Sequence, residues 1–254
     1  MQAVNGAGSV DANAGAWWSF TIKVFDSIGV YNNSIFYLRN SNTNGVADLM
    51  FSYGWVSAGI IPLAGDWDGN GSTTIGIYNN GVFYLRNTNN NGIADLTFAY
   101  GPVTAGVIPL AGDWDGNGTD TIGVYYNGVF YLRNSNDNGI ADLTFSYGPL
   151  EAGVIPMAGD WDGNGTDTVG VYRNSIFYLR NSNNNGIADL TFSYGWVSAG
   201  IIPLAGDWDG NGITTIGIYN NGIFYLRNSN NNGIADLTFA YGPVTGSKPL
   251  AGKW

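Results

Sequence analysis

The residues of this chain best placed to gather a ligand lie in one loop that occurs four times. DWDGNG puts oxygen-bearing side chains at its first, third and fifth positions: Asp66, Asp68 and Asn70; Asp113, Asp115 and Asn117; Asp160, Asp162 and Asn164; Asp207, Asp209 and Asn211. Alternate oxygens around a glycine turn are how calcium loops collect ligands. The ninth position, where such a loop wants another carboxylate, is Thr74, Thr121, Thr168 and Thr215, with Asp120 and Asp167 one residue early. Calcium takes about six to eight oxygens, so two carboxylates with amide and hydroxyl groups make a weak site. The competing reading is a turn whose Asp side chains cap backbone amides. No other cofactor is expected. In a fifth copy, PLAGKW, Lys253 replaces the first Asp, which leaves at most four such sites.

A second loop, NSNTNGVAD at 40–48, repeats the same spacing with three amides and one carboxylate, as Asn87, Asn89, Asn91 and Asp95 in the next copy. An arginine precedes every copy: Arg39, Arg86, Arg133, Arg180 and Arg227. The arrangement predicts an ion pair across a hairpin, Arg86 with Asp95, in preference to a metal, and an exposed pair contributes about 0–1 kcal/mol.

Other chemistry is excluded by what is missing. The chain has no Cys and no His, which removes disulfides, thiolate chemistry and the commonest metal ligand and general base. Acidic residues outnumber basic ones 19 to 9, a net charge of -10 that repels nucleic acid and anionic membranes. No apolar run reaches the roughly 20 residues of a membrane span, and the first ten residues have no secretory pattern. Glycosidase catalysis needs carboxylates in unlike environments, whereas here they recur in near-identical surroundings and Glu151 is the only glutamate. No enzyme is expected.

What must position these loops is a repeat. IGVY or a close variant begins at 28, 75, 122, 169 and 216, a period of 47. One copy runs IIPLAGDW (60–67), a DGNG turn, TTIGIY (73–78), an NNG turn, VFYLRN (82–87), a TNNNGI loop and ADLTFAYG (94–101). That reads as four short strands, A to D, joined at Asn-Gly and Asp-Gly turns that tolerate positive φ. Leu96, Phe98 and Tyr100 alternate with Thr97 and Ala99, and Phe83 and Leu85 with Val82 and Tyr84, so both faces of the inner strands are covered. A glycine recurs inside strand B (Gly29, Gly76, Gly123, Gly170, Gly217), and we expect an aromatic from the next sheet to fill its space.

Repeats of four antiparallel strands predict an all-β, five-bladed β-propeller over 27–254. The DxDGxG loops resemble those of FG-GAP and VCBS-type propeller repeats of bacterial surface proteins and, more distantly, integrin α subunits. The resemblance implies the same fold, with calcium in the loops. The likeness among copies indicates recent duplication or deliberate design; for a natural protein the expected location is extracellular or cell-surface.

The regular pattern begins at strand B, SIGVY (27–31), and its last piece is strand A, PLAGKW (249–254). Two strands compete for the slot that completes the fifth blade: either the strand at about 16–25 takes it and PLAGKW is left over, or PLAGKW joins SIGVY, the arrangement favoured because PLAGKW keeps the repeat's own sequence. Trp254 then takes the repeat position of Phe20, which leaves a spare strand at about 16–25 in an extension over 1–26, with Trp18, Phe20, Ile22 and Val24 on one face. A half-apolar strand of this kind adds readily to another subunit's sheet edge. The leading expectation is therefore a noncatalytic structural protein whose partner is itself. The alternative is a multivalent glycan-binding, lectin-like propeller. It rests on Trp55 and Trp196 in the connection GWVSAG, which elsewhere reads GPVTAG, GPLEAG or GPVTGS. Exposed tryptophans in matching pockets favour the lectin; ones that are buried or at a subunit contact favour the scaffold, and the competing reading is that they simply fill gaps between blades.

Overall fold

In the computed structural model, residues 24–57 and 59–254 are described in full and 8–12 and 16–20 by backbone alone. Strands β1 (Gly8–Ala12) and β2 (Ala16–Phe20) form a two-stranded sheet. The remaining strands make five four-stranded antiparallel blades. Blade one contains β3 (Ser27–Asn32), β4 (Ile35–Leu38) and β5 (Leu49–Ser52). Blade two is β6 (Ile61–Gly65), β7 (Thr74–Asn79), β8 (Val82–Leu85) and β9 (Leu96–Ala99). Blade three is β10 (Ile108–Gly112), β11 (Thr121–Tyr126), β12 (Val129–Leu132) and β13 (Leu143–Ser146). Blade four is β14 (Ile155–Gly159), β15 (Thr168–Arg173), β16 (Ile176–Leu179) and β17 (Leu190–Ser193). Blade five is β18 (Ile202–Gly206), β19 (Thr215–Asn220), β20 (Ile223–Leu226) and β21 (Leu237–Ala240).

The last strand, β22 (Lys248–Gly252), returns to blade one and pairs with β3, Leu250 opposite Gly29 and Gly252 opposite Ser27. PLAGKW therefore closes the ring. The five inner strands β22, β6, β10, β14 and β18 each lie against the next around the axis, which makes a five-bladed propeller. Of the spare strand, Ala16–Phe20 is paired with Gly8–Ala12, Val10 opposite Trp18 and Gly8 opposite Phe20. Ile22 lies outside the described residues, and Val24 is exposed.

The core is a set of five layers between blades. Ile75 and Ile77 of β7 pack back against Phe36 and Tyr53 of blade one, while Tyr78, Phe83 and Leu85 pack forward against Ile122 and Val124 of blade three. The period of two along each strand thus hands alternate residues to opposite neighbours, and strand B is buried on both faces. At the centre of each layer stands a fully buried phenylalanine: Phe36, Phe83, Phe130, Phe177 or Phe224. Removing such a side chain from water contributes about 1.5–3 kcal/mol.

The strand B to C turns need positive φ at both central residues, and Asn80–Gly81 meets this at 47° and 87°. Blades one and four place Ser34 and Ser175 at the second position, at φ 64° and 63°. The strand B glycines are explained differently from the expectation. A Cβ on Gly76 would stand 2.8 Å from Leu85 and 3.4 Å from the ring of Trp67. That ring comes from the same blade's own A to B loop, not from the next sheet. Trp254, Trp114 and Trp161 play the same part at Gly29, Gly123 and Gly170.

Candidate functional site

The DWDGNG loops are closed upon themselves. Asp66 accepts hydrogen bonds from the Asn70 amide on Oδ1 (3.0 Å) and from the Gly71 amide on Oδ2, and Asn70 Oδ1 accepts from the Ser72 amide (2.9 Å). Asp113, Asp160 and Asp207, with Asn117, Asn164 and Asn211, repeat the pattern. The ninth-position hydroxyls of Thr74, Thr121, Thr168 and Thr215 donate to strand A carbonyls inside the sheet. Asp68, Asp115 and Asp162 are exposed and Asp209 is half-buried. Among the described residues no three carboxylates converge as metal ligands would. The first- and fifth-position oxygens are thus engaged with backbone amides, the arrangement of the capping turn.

The second loop is held by its arginine. Arg86 donates to the Ile93 carbonyl (2.7 Å) and lies 3.2 Å from Asp95, while Asp95 accepts the Asn87 amide. Arg39–Asp48, Arg133–Asp142, Arg180–Asp189 and Arg227–Asp236 are paired at 3.6, 3.2, 3.1 and 3.3 Å.

Two further features emerge only from the assembled ring. The first lines the axis, where the residue just before strand B (Asp26, Thr73, Asp120, Asp167, Thr214) latches its blade to the preceding one. Asp120 N donates to the Asp66 carbonyl (2.8 Å), and Asp66 N donates back to Asp120 Oδ2 (2.7 Å). Asp167 with Asp113 and Asp26 with Asp207 form the same reciprocal pair; Thr73 with Lys253 and Thr214 with Asp160 form it through Thr Oγ1. These residues surround an axial cavity of about 460 Å³. Burial pushes the carboxyls of Asp26, Asp120 and Asp167 up from the ordinary carboxylate value. For Asp167 the charge of Asp120 adds to the effect, whereas Lys253 opposes it at Asp26.

The second feature lies between neighbouring blades. Tyr53 and Trp55, at the end of blade one, face Ile77, Tyr84, Ile93 and Thr97 of blade two across a cleft of about 470 Å³. Trp55 meets the Tyr84 ring edge-on, with centroids 5.1 Å apart and planes at 88°. Trp196 repeats this on Tyr225 at 5.0 Å and 87°. Both tryptophans are 40% exposed, and Ile93 stands out at 86%. Between blades two and three the equivalent cleft carries Pro102 in place of the tryptophan, with Tyr100, Tyr131 and Ile140.

At the edge of each layer stands a tyrosine of the YG pair: Tyr53, Tyr100, Tyr147, Tyr194 and Tyr241. All five are at least 94% buried, and none of their hydroxyls has a hydrogen-bond partner among the described residues. A buried hydroxyl without a protein partner calls for water or for a ligand. Burial pushes the phenols of Tyr53, Tyr100, Tyr194 and Tyr241 up to about 12, and Tyr147 upward as well. They therefore remain donors far above neutral pH.

Sequence reading singled out Trp55 and Trp196, and the structure sets each in a cleft beside a second ring. It passed over the five tyrosines and Asp26, although the tyrosines share the 47-residue period and always precede glycine.

No family model matches the chain, and no curated protein matches it. The likeness to FG-GAP and VCBS repeats therefore rests on the loop residues alone. Among solved structures the chain is similar to a lectin from Agrocybe aegerita, described as specifically recognising non-reducing terminal N-acetylglucosamine. The TM-score is 0.50 at 15% identity, over 97% of this chain and 80% of the other. At that identity the likeness concerns the fold: this chain is a five-bladed β-propeller built from twenty blade strands.

Proposed function

We propose that the protein is a noncatalytic, multivalent carbohydrate-binding propeller whose sites are the clefts between blades. The observation that carries this reading is the pair of half-exposed corners, Trp55 on Tyr84 and Trp196 on Tyr225, in equivalent clefts. A sugar presents C–H groups on one face and hydroxyls at its rim, so it needs an aromatic wall with a few polar groups beside it. The tryptophan supplies the wall, with Tyr84 and Thr97 beside it in the first of these clefts. Two such clefts on one rigid ring, walled by Trp55 and Trp196, turn weak single sites into avidity for clustered glycans, as found at cell surfaces and outside cells. The axial carboxylates serve as latches, each holding a neighbouring blade's amide, and the reading assigns them no catalytic role.

Titration calorimetry of the full chain with terminal N-acetylglucosamine, followed by a glycan array, tests the proposal. Binding that falls about tenfold or more in Trp55→Ala/Trp196→Ala supports it, because the double variant removes the aromatic walls against which the C–H face of the sugar packs. Absence of binding to any glycan at millimolar concentration rejects it.

A second reading, self-association as a structural protein, is favoured by the separate two-stranded sheet, in which β2 pairs with β1 and, among the described residues, with no blade. Light scattering of the full chain and of a form lacking residues 1–20, each with and without calcium, separates the two. Oligomers that vanish on truncation support the scaffold, and equal monomers leave the clefts as the functional surface.

A further inference from the structure

Strand β22 differs from the other inner strands at three positions. Before their proline the interior copies carry Ile60–Ile61, Val107–Ile108, Val154–Ile155 and Ile201–Ile202, whereas β22 is entered through Ser247 and Lys248. Asn32 Nδ2 donates to Ser247 Oγ (3.0 Å) and to the Thr245 carbonyl (2.7 Å), and Ser247 Oγ donates to the Pro243 carbonyl. Lys248 Nζ donates to the Ile60 carbonyl. The third difference is Lys253, which stands where the other copies have Asp. It is the one cation among the residues lining the axial cavity, in company with Asp26, Asp66, Asp120, Asp160, Asp167 and Asp207.

The connection into β22 is also distinct. It covers residues 241–247, one residue fewer than 53–60, 100–107, 147–154 and 194–201. Only backbone pairing and side-chain contacts hold β22 to β3, because its chain link runs to β21 of blade five.

We propose that the β3 edge is a strand-acceptor site with an address, and that a second copy of this chain can supply its occupant. Segment 247–254 then exchanges between two molecules, each completing the other's first blade. Every contact of the closed ring is remade in the exchanged pair, so exchange costs no pairing. A shortened hinge constrains the closed monomer but not the exchanged pair, the circumstance that invites strand swapping. The three substitutions make the site selective. An interior strand in this slot would put Asp in place of Lys253 near the buried Asp26 carboxyl, and Ile in place of the Ser247 oxygen that receives Asn32. Like-charge contact and an unpaired amide are how an interface rejects the wrong partner.

The absence of Cys makes the test direct. Ala251 lies opposite Ile28 across the β22–β3 pair. Full chains carrying only Ile28→Cys and only Ala251→Cys, differing in mass, are mixed at high concentration, warmed below melting and oxidised. A disulfide-linked heterodimer is expected, at a yield about tenfold or more above that from Ile28→Cys mixed with Ala205→Cys, the equivalent position of an interior strand. Adding Lys253→Asp to the Ala251→Cys chain should lower the yield several-fold. The double variant Ile28→Cys/Ala251→Cys in one chain must close internally, and its failure to do so overturns the assignment. Internal closure without any heterodimer shows that the strand does not exchange, and equal yields from Ala205→Cys show that the slot has no address.

Discussion

The axis and the periphery of this ring tolerate different kinds of variation. At the axis the latch position reads Asp, Thr, Asp, Asp, Thr around the five blades, yet each residue accepts the same amide from the preceding blade. Any short side chain with an acceptor oxygen satisfies that geometry. In the clefts the corresponding variation is Trp or Pro at 55, 102, 149, 196 and 243, which alters the wall that meets solvent while the buried tyrosine beside it never changes. The axis therefore keeps a bond across changing residues, and the periphery keeps a buried hydroxyl with no partner among the described residues beside a wall that changes. A bond that survives substitution is a structural device; a solvent-facing wall that changes from cleft to cleft is a candidate for recognition.

Deleting one latch tests the first half of this contrast and carries the largest effect. Thr214→Val keeps the shape but strands the Asp160 amide, and denaturant unfolding should register a loss of about 1–3 kcal/mol. A cost near zero would reduce the ring of reciprocal bonds to ornament. Asp167→Thr sharpens the same point, because Thr already serves as the latch at 73 and 214. The Asp167 carboxyl keeps its proton to higher pH in the folded chain than the ordinary carboxylate near 4, so the unfolded chain ionises first. Its contribution to stability therefore falls as pH rises from about 4 through the raised folded value. In thermal melts the variant should gain on the parent between about pH 4 and the raised folded value, and the difference should level off above it. A constant gap across that range would mean that charge plays no part.

Smaller effects belong to the turns and clefts. Ser34→Gly and Ser175→Gly relieve left-handed backbone at the strand B to C turns and should each raise stability by about 1 kcal/mol, while Asn80→Gly beside an existing Gly81 should not. The smallest change is expected of Tyr53→Phe, which removes a buried hydroxyl without a protein partner and should leave stability within about 0.5 kcal/mol. If it instead costs as much as the latch variant, the hydroxyl is held by structural water and the contrast between axis and periphery fails.

The blades were legible because local signals agree. Asn-Gly turns, strict alternation and a 47-residue period leave one architecture, while the closing slot stays contested in the sequence between PLAGKW and the strand at about 16–25 and goes to PLAGKW through the pairing of β22 with β3. The latch was hidden because its partners, such as Asp66 and Asp120, lie 54 residues apart in different blades and meet only when the ring forms. The origin of the ring packed on Gly76 was misread for a related reason. Period-two reading assigns faces within a strand, but it says nothing about a loop tryptophan folding back beneath its own sheet. The tyrosine hydroxyls escaped because Tyr53 and its equivalents look like the apolar ends of strand D, and only burial together with the missing partner marks them out.

The pairing of Gly252 with Ser27 also sets how the ring responds to force. The two strands are antiparallel, so the chain leaves β22 and enters β3 at the same end of the pair. A pull applied at Asp26 and Lys253 loads the bonds between these strands one after another, as a zipper is opened, instead of sharing the load among them. Blade one should give way first under tension, and at low force. Joined in series, such rings would lengthen by stepwise opening of a single seam while the four covalently continuous blades stayed folded.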